Sequence, residues 1–393
     1  MRRRDFLRST GLVSASLLLP RFLKASPMQG ASGGRKLVVV QLGGGNDGLN
    51  TVVPFHMDPY HALRPQLALQ RDKVLALNDE VGLHPALVGL RGLFDAGNLT
   101  VVNGVGYPQP DRSHFRSMDI WHTASASDEY LETGWLGRYL DERRSAPHGV
   151  IEFGGTLSLA NKGARMKAIA MNEPARFYAS TREPYFAQLA SAPHAEQHAQ
   201  LGYLYRTMAE TYQSAGYIQQ RLKPRATAVV FPKTDIGKQL RQVSAFIQSG
   251  METRVYYTSM DGFDTHVNQA MRQQKQLTMA DAAITAFWND LVAAGLEKEV
   301  LVLVFSEFGR RVKQNASNGT DHGTAGPVFL IGSSLKKPGL YNALPAMDQL
   351  DGNGDLRFTV DFRTIYAAVL RDQLDTDPAP IGLAGVQPLP VLV

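Results

Sequence analysis

A nearly continuous run of apolar residues, Lys36–Leu42, leads directly into a glycine-rich turn and constrains the fold more than any other feature of the sequence. Its valines and leucines do not alternate with polar residues, which is typical of a strand buried on both faces. Similar runs recur along the chain, with helical patterns between several of them. Strands that alternate with helices predict a mostly parallel sheet covered on both faces, that is, a three-layer α/β/α fold.

The order of the predicted elements fits one α/β domain over residues 36–393 that carries a helical insertion at residues 172–225. The predicted strands are 36–42, 99–103, 149–153, 167–171, 228–231, 254–259, 300–305 and 327–331, and the predicted helices are 85–96, 114–123, 135–144, 234–249, 271–294 and 362–374. His194 and His198, in the insertion, stand four residues apart, which is a metal-ligand spacing on a helix. The polar sequence around them favours a solvated helix face instead.

Residues 1–31 have the features of a twin-arginine signal peptide followed by a linker. Arg3 and Arg4 are followed after one residue by Phe-Leu and a base, and then by an apolar stretch too short to span a bilayer. We predict export to the periplasm or beyond in the folded state, with the twin-arginine translocase as partner. No transmembrane span is expected in the mature chain, although an uncleaved segment would act as an anchor.

The formal charge of +5 does not indicate a nucleic-acid-binding protein. Residues 1–25 carry six arginines and lysines and one aspartate, so they account for all of that charge. The remaining residues lack the basic excess that binds phosphate backbones. The chain also has no cysteine, which excludes disulfides, thiolate ligands and a cysteine nucleophile. Any metal must therefore be held by histidines and carboxylates.

Ionisable residues follow several predicted strands at the point where each strand ends, and others precede the last one. Ligands bind beyond the carboxyl ends of strands in sheets of this type, so we expect these residues to converge at one edge. The predicted ligands of a divalent metal ion (Zn, Mg, Mn or Ca) are Asp47, Asp264, His266, Glu307, Asp321 and His322, with Asp261 nearby. Each segment alone also fits an ordinary turn. Asp47 could cap a helix, and its turn lacks the GxGxxG spacing of a dinucleotide loop.

Ser113 is the candidate nucleophile. It precedes the predicted helix 114–123, where free N–H groups and the helix dipole favour an anionic oxygen. Arg112, His114 and Arg116 could hold the oxygens of a phosphate or sulfate group. The structural alternative is that Ser113 is only the N-cap of this helix. A Ser-His-Asp hydrolase fits less well, because there is no GxSxG motif and no histidine–carboxylate pair stands out.

Five motifs together resemble the bacterial domain-of-unknown-function family 1501. They are Gly-Gly-Asn-Asp-Gly-Leu-Asn ending at Asn50, Arg-Ser-His-Phe from Arg112, Gly-Phe-Asp-Thr-His ending at His266, Ser-Glu-Phe-Gly-Arg from Ser306 and Asp-His-Gly from Asp321. The resemblance covers nearly the whole mature chain. It implies a branch of the alkaline phosphatase/sulfatase-like superfamily, whose members hydrolyse phosphate or sulfate esters at one or two divalent metals.

The resemblance also implies a role for each motif residue. In the superfamily's chain order, Asp47 is the first metal-binding aspartate, Ser113 the nucleophile, Asp264 and His266 the Asp…His pair, Glu307 the Asp-His pair and His322 the last histidine. An alternative assigns Asp321 and His322 to the Asp-His pair and leaves the last histidine open. We prefer Glu307, because it directly follows a buried apolar strand, as the superfamily's pair does.

Two departures from the superfamily pattern affect the metal site. Asp264 and His266 stand two residues apart where four is usual, and Phe308 stands where the Asp-His pair would supply its imidazole. One metal, or a carboxylate-rich pair of Mg, Mn or Ca type, is easier to build than a two-zinc site. Two functions stay open: an exported metal-dependent hydrolase of small-molecule or polymer esters, and a non-catalytic exported binding or assembly protein.

Overall fold

The structure, a computed structural model, describes residues 34–190, 199–223 and 227–393. The signal peptide predicted at residues 1–31 and the pair His194 and His198 lie outside the described residues and stay predictions. Within the described residues, no helix is both long enough and apolar enough to cross a membrane.

Strands and helices alternate along most of the described chain. The strands are β1 (Lys36–Leu42), β2 (Val52–Val53), β3 (Leu75–Ala76), β4 (Gly82–Leu83), β5 (Leu99–Gly106), β6 (Val150–Phe153), β7 (Ile169–Met171), β8 (Val255–Met260), β9 (Val300–Phe305), β10 (Gly326–Ile331), β11 (Gly339–Leu340) and β12 (Val360–Asp361). The helices are α1 (Asp58–Leu63), α2 (Val88–Asp95), α3 (His114–Thr123), α4 (Trp135–Arg143), α5 (Pro174–Thr181), α6 (Pro184–Ala190), α7 (Ala199–Arg221), α8 (Asp235–Gln248), α9 (Gln269–Ala294) and α10 (Phe362–Ala368).

The main sheet is built around β1. Its order is β11–β5–β10–β9–β1–β8–β6–β7, and β12 also pairs with β5. All of these pairs are parallel except those of β10, which runs antiparallel to both β9 and β5. The predicted mostly parallel sheet is confirmed. Because β10 runs the other way, the loop ahead of it lies at the same edge as the loops that follow β1, β8 and β9.

Helices cover both faces of this sheet. Every residue of β1 is buried. Leu37 and Val39 belong to one apolar core, and Val38 and Val40 belong to the other. Residues of α3, α4 and α10 complete the first core, and residues of α2, α8 and α9 complete the second. Each buried valine or leucine stabilises the fold by about 1.5–3 kcal/mol. The predicted three-layer α/β/α architecture is confirmed.

The predicted strand at residues 228–231 is wrong, because these residues lie in bends and irregular backbone. Val230 is 89% exposed, and the N–H of Val229 donates to the Thr227 hydroxyl at 3.0 Å. This short apolar run is therefore an exposed turn ahead of α8. The described part of the insertion predicted at 172–225 contains helices α5, α6 and α7, of which α7 packs against the other two.

Candidate metal centre

Loops from three central strands leave the sheet at one edge. The register pairs Leu42, the last residue of β1, with Met260, the last residue of β8. It also pairs Gln41 with Phe305, where β9 ends. The segments that follow these strands therefore emerge side by side, and the loop ahead of antiparallel β10 joins them. Helix α3 brings a fifth segment to the same place, beginning at His114.

Three histidines and one aspartate, His114, Asp264, His266 and His322, meet at this edge and are called the metal cluster below. Asp264 Oδ1 lies 3.5 Å from His114 Nε2 and 3.3 Å from His322 Nε2. It also lies 3.1 Å from His266 Nε2. Ligand atoms of His114, Asp264 and His322 all lie within 4.8 Å of one another. Around an ion with tetrahedral bonds of about 2.0–2.1 Å, neighbouring ligand atoms stand about 3.3 Å apart, so these spacings suit one divalent ion.

Each histidine of the metal cluster is oriented through its other ring nitrogen. Nδ1–H of His114 donates to Glu307 at 2.8 Å, Nδ1–H of His266 to Asp321 at 3.1 Å, and Nδ1–H of His322 to the carbonyl of Arg112 at 2.7 Å. Such acceptors fix the tautomer of a metal-binding histidine and leave its Nε2 as a lone pair. The structure thus places Glu307 and Asp321, which were predicted as ligands, behind the histidines.

The metal cluster contains polar atoms that the rest of the protein leaves without suitable partners. His114 Nε2 is buried and has no hydrogen-bond partner among the described residues. The Nε2 atoms of His266 and His322 lie 2.9 Å apart, although neither atom carries a proton in the tautomers given above. Two facing lone pairs repel each other unless a proton or a cation lies between them. The residues present therefore fit a divalent cation.

The charge of the metal cluster is set largely by Arg310. Its buried guanidinium lies 2.6 Å from Asp264 Oδ1 and also donates to backbone carbonyls. Burial acts to raise the pKa of Asp264, but the hydrogen bond and the charge of Arg310 outweigh it and lower this pKa to about 2. Burial lowers the pKa of His322, whereas the hydrogen bond with Glu307 raises the pKa of His114. At neutral pH the cluster presents an ionised carboxylate beside a neutral His322.

Asp47 lies outside the metal cluster. Its carboxylate is fully buried and pairs with Arg64 at 2.6 Å. It also accepts hydrogen bonds from the N–H of Leu49 at 3.1 Å and from the side chain of Gln269. Asp47 caps the 3₁₀ turn Gly48–Asn50, the structural alternative for this residue, and it is not among the residues whose ligand atoms converge. Nothing in the sequence pattern marks Arg64 as the partner.

Of the predicted catalytic residues Arg112, Ser113 and His114, only His114 belongs to the metal cluster. Ser113 is the N-cap of α3, but its exposed hydroxyl makes no capping hydrogen bond. The guanidinium of Arg112 pairs with the buried Asp355 at 2.8 Å. The guanidinium of Arg116 donates to backbone carbonyls. Both arginines thus have protein partners and are not free to hold a substrate oxygen.

An open cleft of about 460 Å³ borders the metal cluster. His114, Asp264 and Glu307 line the end at the cluster. The rest of the lining includes Phe115, Met118, Asp119, His122, Leu159 and Asp261. Asp119 and His122 are site residues that the sequence motifs do not predict. The spacing of His114, Met118 and His122 at every fourth residue, which places them along one face of a helix, is the signal that could have found this wall.

Asp355 is expected to influence metal binding without touching the metal cluster. It is fully buried and holds the guanidinium of Arg112, whose carbonyl orients His322. Replacing Asp355 by Asn removes the negative charge that holds the guanidinium of Arg112. The backbone carbonyl of Arg112 is then held less firmly in the position where it accepts from His322. We expect metal affinity to fall about 10–100-fold, as is usual for groups that orient ligands. Titration with Zn²⁺ against a competing chelator measures the change.

The matched control for Asp355→Asn is Asp348→Asn, which changes an exposed carboxylate in the same segment. This control should keep the affinity of the unmodified protein. An equal loss of affinity in both variants, or no loss in Asp355→Asn, would contradict the orienting role of Asp355.

A family model described as "Protein of unknown function (DUF1501)" matches residues 102–370. This span includes the whole metal cluster and Asp355, and it leaves out Asp47. No curated protein matches the chain.

Several solved structures are similar to this chain at low identity. The lipoteichoic acid synthase LtaP from Listeria monocytogenes is 12% identical, with a TM-score of 0.38, over 79% of this chain and 68% of that one. The C-terminal periplasmic domain of EcEptC from Escherichia coli, in complex with Zn, is 11% identical, with a TM-score of 0.37, over 77% and 74%. The PsFucS1 sulfatase from Pseudoalteromonas sp. is 10% identical, with a TM-score of 0.40, over 89% and 70%. Similarities this distant do not establish a metal or a substrate for this chain.

Proposed function

The chain belongs to the DUF1501 family, and on that premise we propose that it is an exported, metal-dependent hydrolase of phosphate or sulfate esters. The observation that carries the proposal is the buried, unpartnered Nε2 of His114, which faces Asp264 and His322 at one end of an open cleft. A divalent ion held by these residues supplies Lewis-acid polarisation of an ester oxygen and activation of a hydroxyl group or water.

The protein's own groups prepare this site for an anionic ester. Arg310 keeps Asp264 ionised, and Glu307 holds the ring of His114 by its Nδ1–H. The first N–H groups of α3 favour a developing negative charge beside Ser113. The hydroxyl of Ser113 is exposed and has no hydrogen-bond partner among the described residues, so it is free to act as the nucleophile.

A metal-binding protein without hydrolytic activity is the second candidate. The ring of Phe308 lies 4.9 Å from the rings of both His114 and His322, so one side of the metal cluster is covered by an apolar group. Ser113 is also absent from the residues that line the cleft. Both observations favour metal binding that is not followed by attack on an ester.

Metal content and ester turnover together distinguish these two functions. The purified chain would be analysed for bound metals and then assayed against aryl phosphates and aryl sulfates with Zn²⁺, Mg²⁺, Mn²⁺ and Ca²⁺. Turnover that chelation abolishes and one of these ions restores supports the hydrolase. Stoichiometric metal without turnover of either ester class supports the binding protein. A chain that takes up none of the four ions contradicts both.

We also propose that the leader sends the folded chain through the twin-arginine translocase. Replacing Arg3 and Arg4 by Lys keeps the charge but removes the arginine pair, so the folded precursor is expected to accumulate in the cytoplasm. Immunoblots of periplasmic and cytoplasmic fractions measure this. Arg21→Lys is the matched control and should be exported normally. Normal export of the Arg3 and Arg4 variant would refute the assignment of the leader.

A further inference from the structure

Beyond the metal cluster, the cleft presents negative charge and an aromatic ring. Asp119 and Asp261 line it, and among the described residues no lysine or arginine does. Phe115 belongs to the same lining, and 87% of its surface is exposed. A phosphoryl or sulfuryl group is itself anionic, so these carboxylates do not suit an ester that carries no other charge.

His122 adds a buried hydrogen-bond acceptor to the same lining. Only 7% of the residue is exposed. Its Nε2 lies 3.0 Å from Oε1 of Gln41 and 3.2 Å from the hydroxyl of Tyr257. That hydroxyl donates its own proton to the same Gln41 oxygen, so Nε2 of His122 carries a proton and donates to Gln41 as well. Nδ1 of His122 is therefore a lone pair, and it has no hydrogen-bond partner among the described residues. Burial lowers the pKa of His122 to about 4, so the ring is neutral at pH 7 and Nδ1 can only accept.

The basic side chains near the cleft are hydrogen-bonded to other protein groups and are not available to a ligand in the cleft. The guanidinium of Arg310 is buried and bonded to Asp264 and backbone carbonyls. The guanidinium of Arg116 donates to backbone carbonyls and lies 3.8 Å from the ring centre of Tyr130. The outer cleft is thus acceptor-rich and negative, which attracts a cation that can donate hydrogen bonds.

We propose that the cleft beside the metal cluster binds an ammonium group, so that the preferred substrates are phosphate or sulfate esters whose alcohol part carries a protonated amine. The substrate statement depends on the proposed hydrolase function, whereas the ammonium site does not. Asp119 and Asp261 supply the opposite charge, His122 Nδ1 accepts a hydrogen bond, and the face of Phe115 supplies a cation–π contact.

A preference of about tenfold is expected for an ammonium ligand over a neutral ligand of the same shape. An exposed ion pair and a cation–π contact at an exposed site each stabilise weakly, and together they reach about one power of ten in affinity. The preference should fall as ionic strength rises, because both carboxylates are accessible to solvent.

The test uses two matched pairs of probes at pH 7 with the full-length, metal-supplemented protein. Benzylammonium and benzyl alcohol are titrated by calorimetry, which requires no turnover. The ester pair is 4-(aminomethyl)phenyl phosphate and 4-(hydroxymethyl)phenyl phosphate, with the corresponding sulfates, compared by kcat/KM. The variant carries Asp119→Asn and Asp261→Asn together, and Asp79→Asn is the control, since Asp79 is exposed and lies outside the cleft. Circular dichroism verifies that each variant is folded.

The expected result is a preference of about tenfold for the ammonium member of each pair, kept by the control and lost in the double variant. Turnover of both esters at equal kcat/KM, with equal binding of benzylammonium and benzyl alcohol, overturns the inference and leaves the proposed hydrolase standing. Preferential binding of benzylammonium that the double variant loses, without turnover of any ester, supports the ammonium site and refutes the hydrolase.

Discussion

Asp264→Asn is expected to yield a folded protein that retains almost no bound metal and has correspondingly little ester turnover. Asp264 Oδ1 lies within 3.5 Å of one nitrogen on each of the three histidines of the metal cluster. The amide replaces the one carboxylate of the metal cluster by a neutral and weaker ligand, so metal affinity should fall at least about 100-fold, more than for an orienting residue. Elemental analysis after gel filtration measures the metal, and an aryl ester assay measures turnover.

The Asp79→Asn variant is the matched control for this change, because Asp79 is an exposed carboxylate away from the site. It should keep both the metal and any turnover. The midpoint of chemical unfolding must be measured as well, since Asp264→Asn also removes the negative partner of the buried Arg310. Full metal content in a folded Asp264→Asn protein would refute the metal cluster.

Ser113→Ala is expected to reduce ester turnover at least about 10³-fold while leaving metal content and stability nearly unchanged. Loss of a capping hydroxyl usually costs about 0.5–2 kcal/mol. The side chain of Ser113 makes no capping hydrogen bond, however, so almost none of that cost should appear in the free energy of unfolding. Turnover and the unfolding midpoint, measured on one preparation, separate the two roles.

The control for Ser113→Ala is Ser333→Ala, which removes an exposed hydroxyl outside the cleft that donates to the carbonyl of Glu297 at 3.3 Å. It should leave turnover unchanged and lower stability only slightly. If Ser113→Ala retains full turnover, the serine is not the nucleophile, and water must attack the ester. A large drop in the unfolding midpoint with turnover retained would identify Ser113 as a structural cap.

Much of the fold could be predicted from the sequence because central strands that are buried on both faces appear as nearly continuous apolar runs. The runs at 36–42 and 300–305 form strands with the predicted bounds, and helix 114–123 does as well. The direction of β10 could not be predicted in this way, because the side-chain pattern of a strand has the same period whichever way the strand runs. The prediction of a strand at 228–231 is wrong because a run of only four apolar residues does not distinguish a strand from an exposed turn.

The candidate site was predictable only at the level of segments. The segments that hold Asp264 and His266 were predicted because they directly follow a strand. That rule does not distinguish a residue that faces the metal position from one that only orients such a residue through a hydrogen bond. Glu307 and His114 are 193 residues apart in the chain, and only the packing of α3 beside β9 brings them to 2.8 Å. Asp47 satisfied the same positional rule, yet it pairs with Arg64, which no motif marks.

The wide spacing of the metal cluster along the chain determines when an ion can be acquired. Its members come from the start of α3, the loop after β8 and the loop before β10, and Asp264 and His322 alone are 58 residues apart. No short piece of a growing chain holds the set, so metal uptake would follow the folding of these segments onto one edge of the sheet. The ion that is bound would therefore depend on which metals are available in the compartment where folding finishes. If the chain crosses the membrane already folded, as proposed above, the ion would be bound in the cytoplasm.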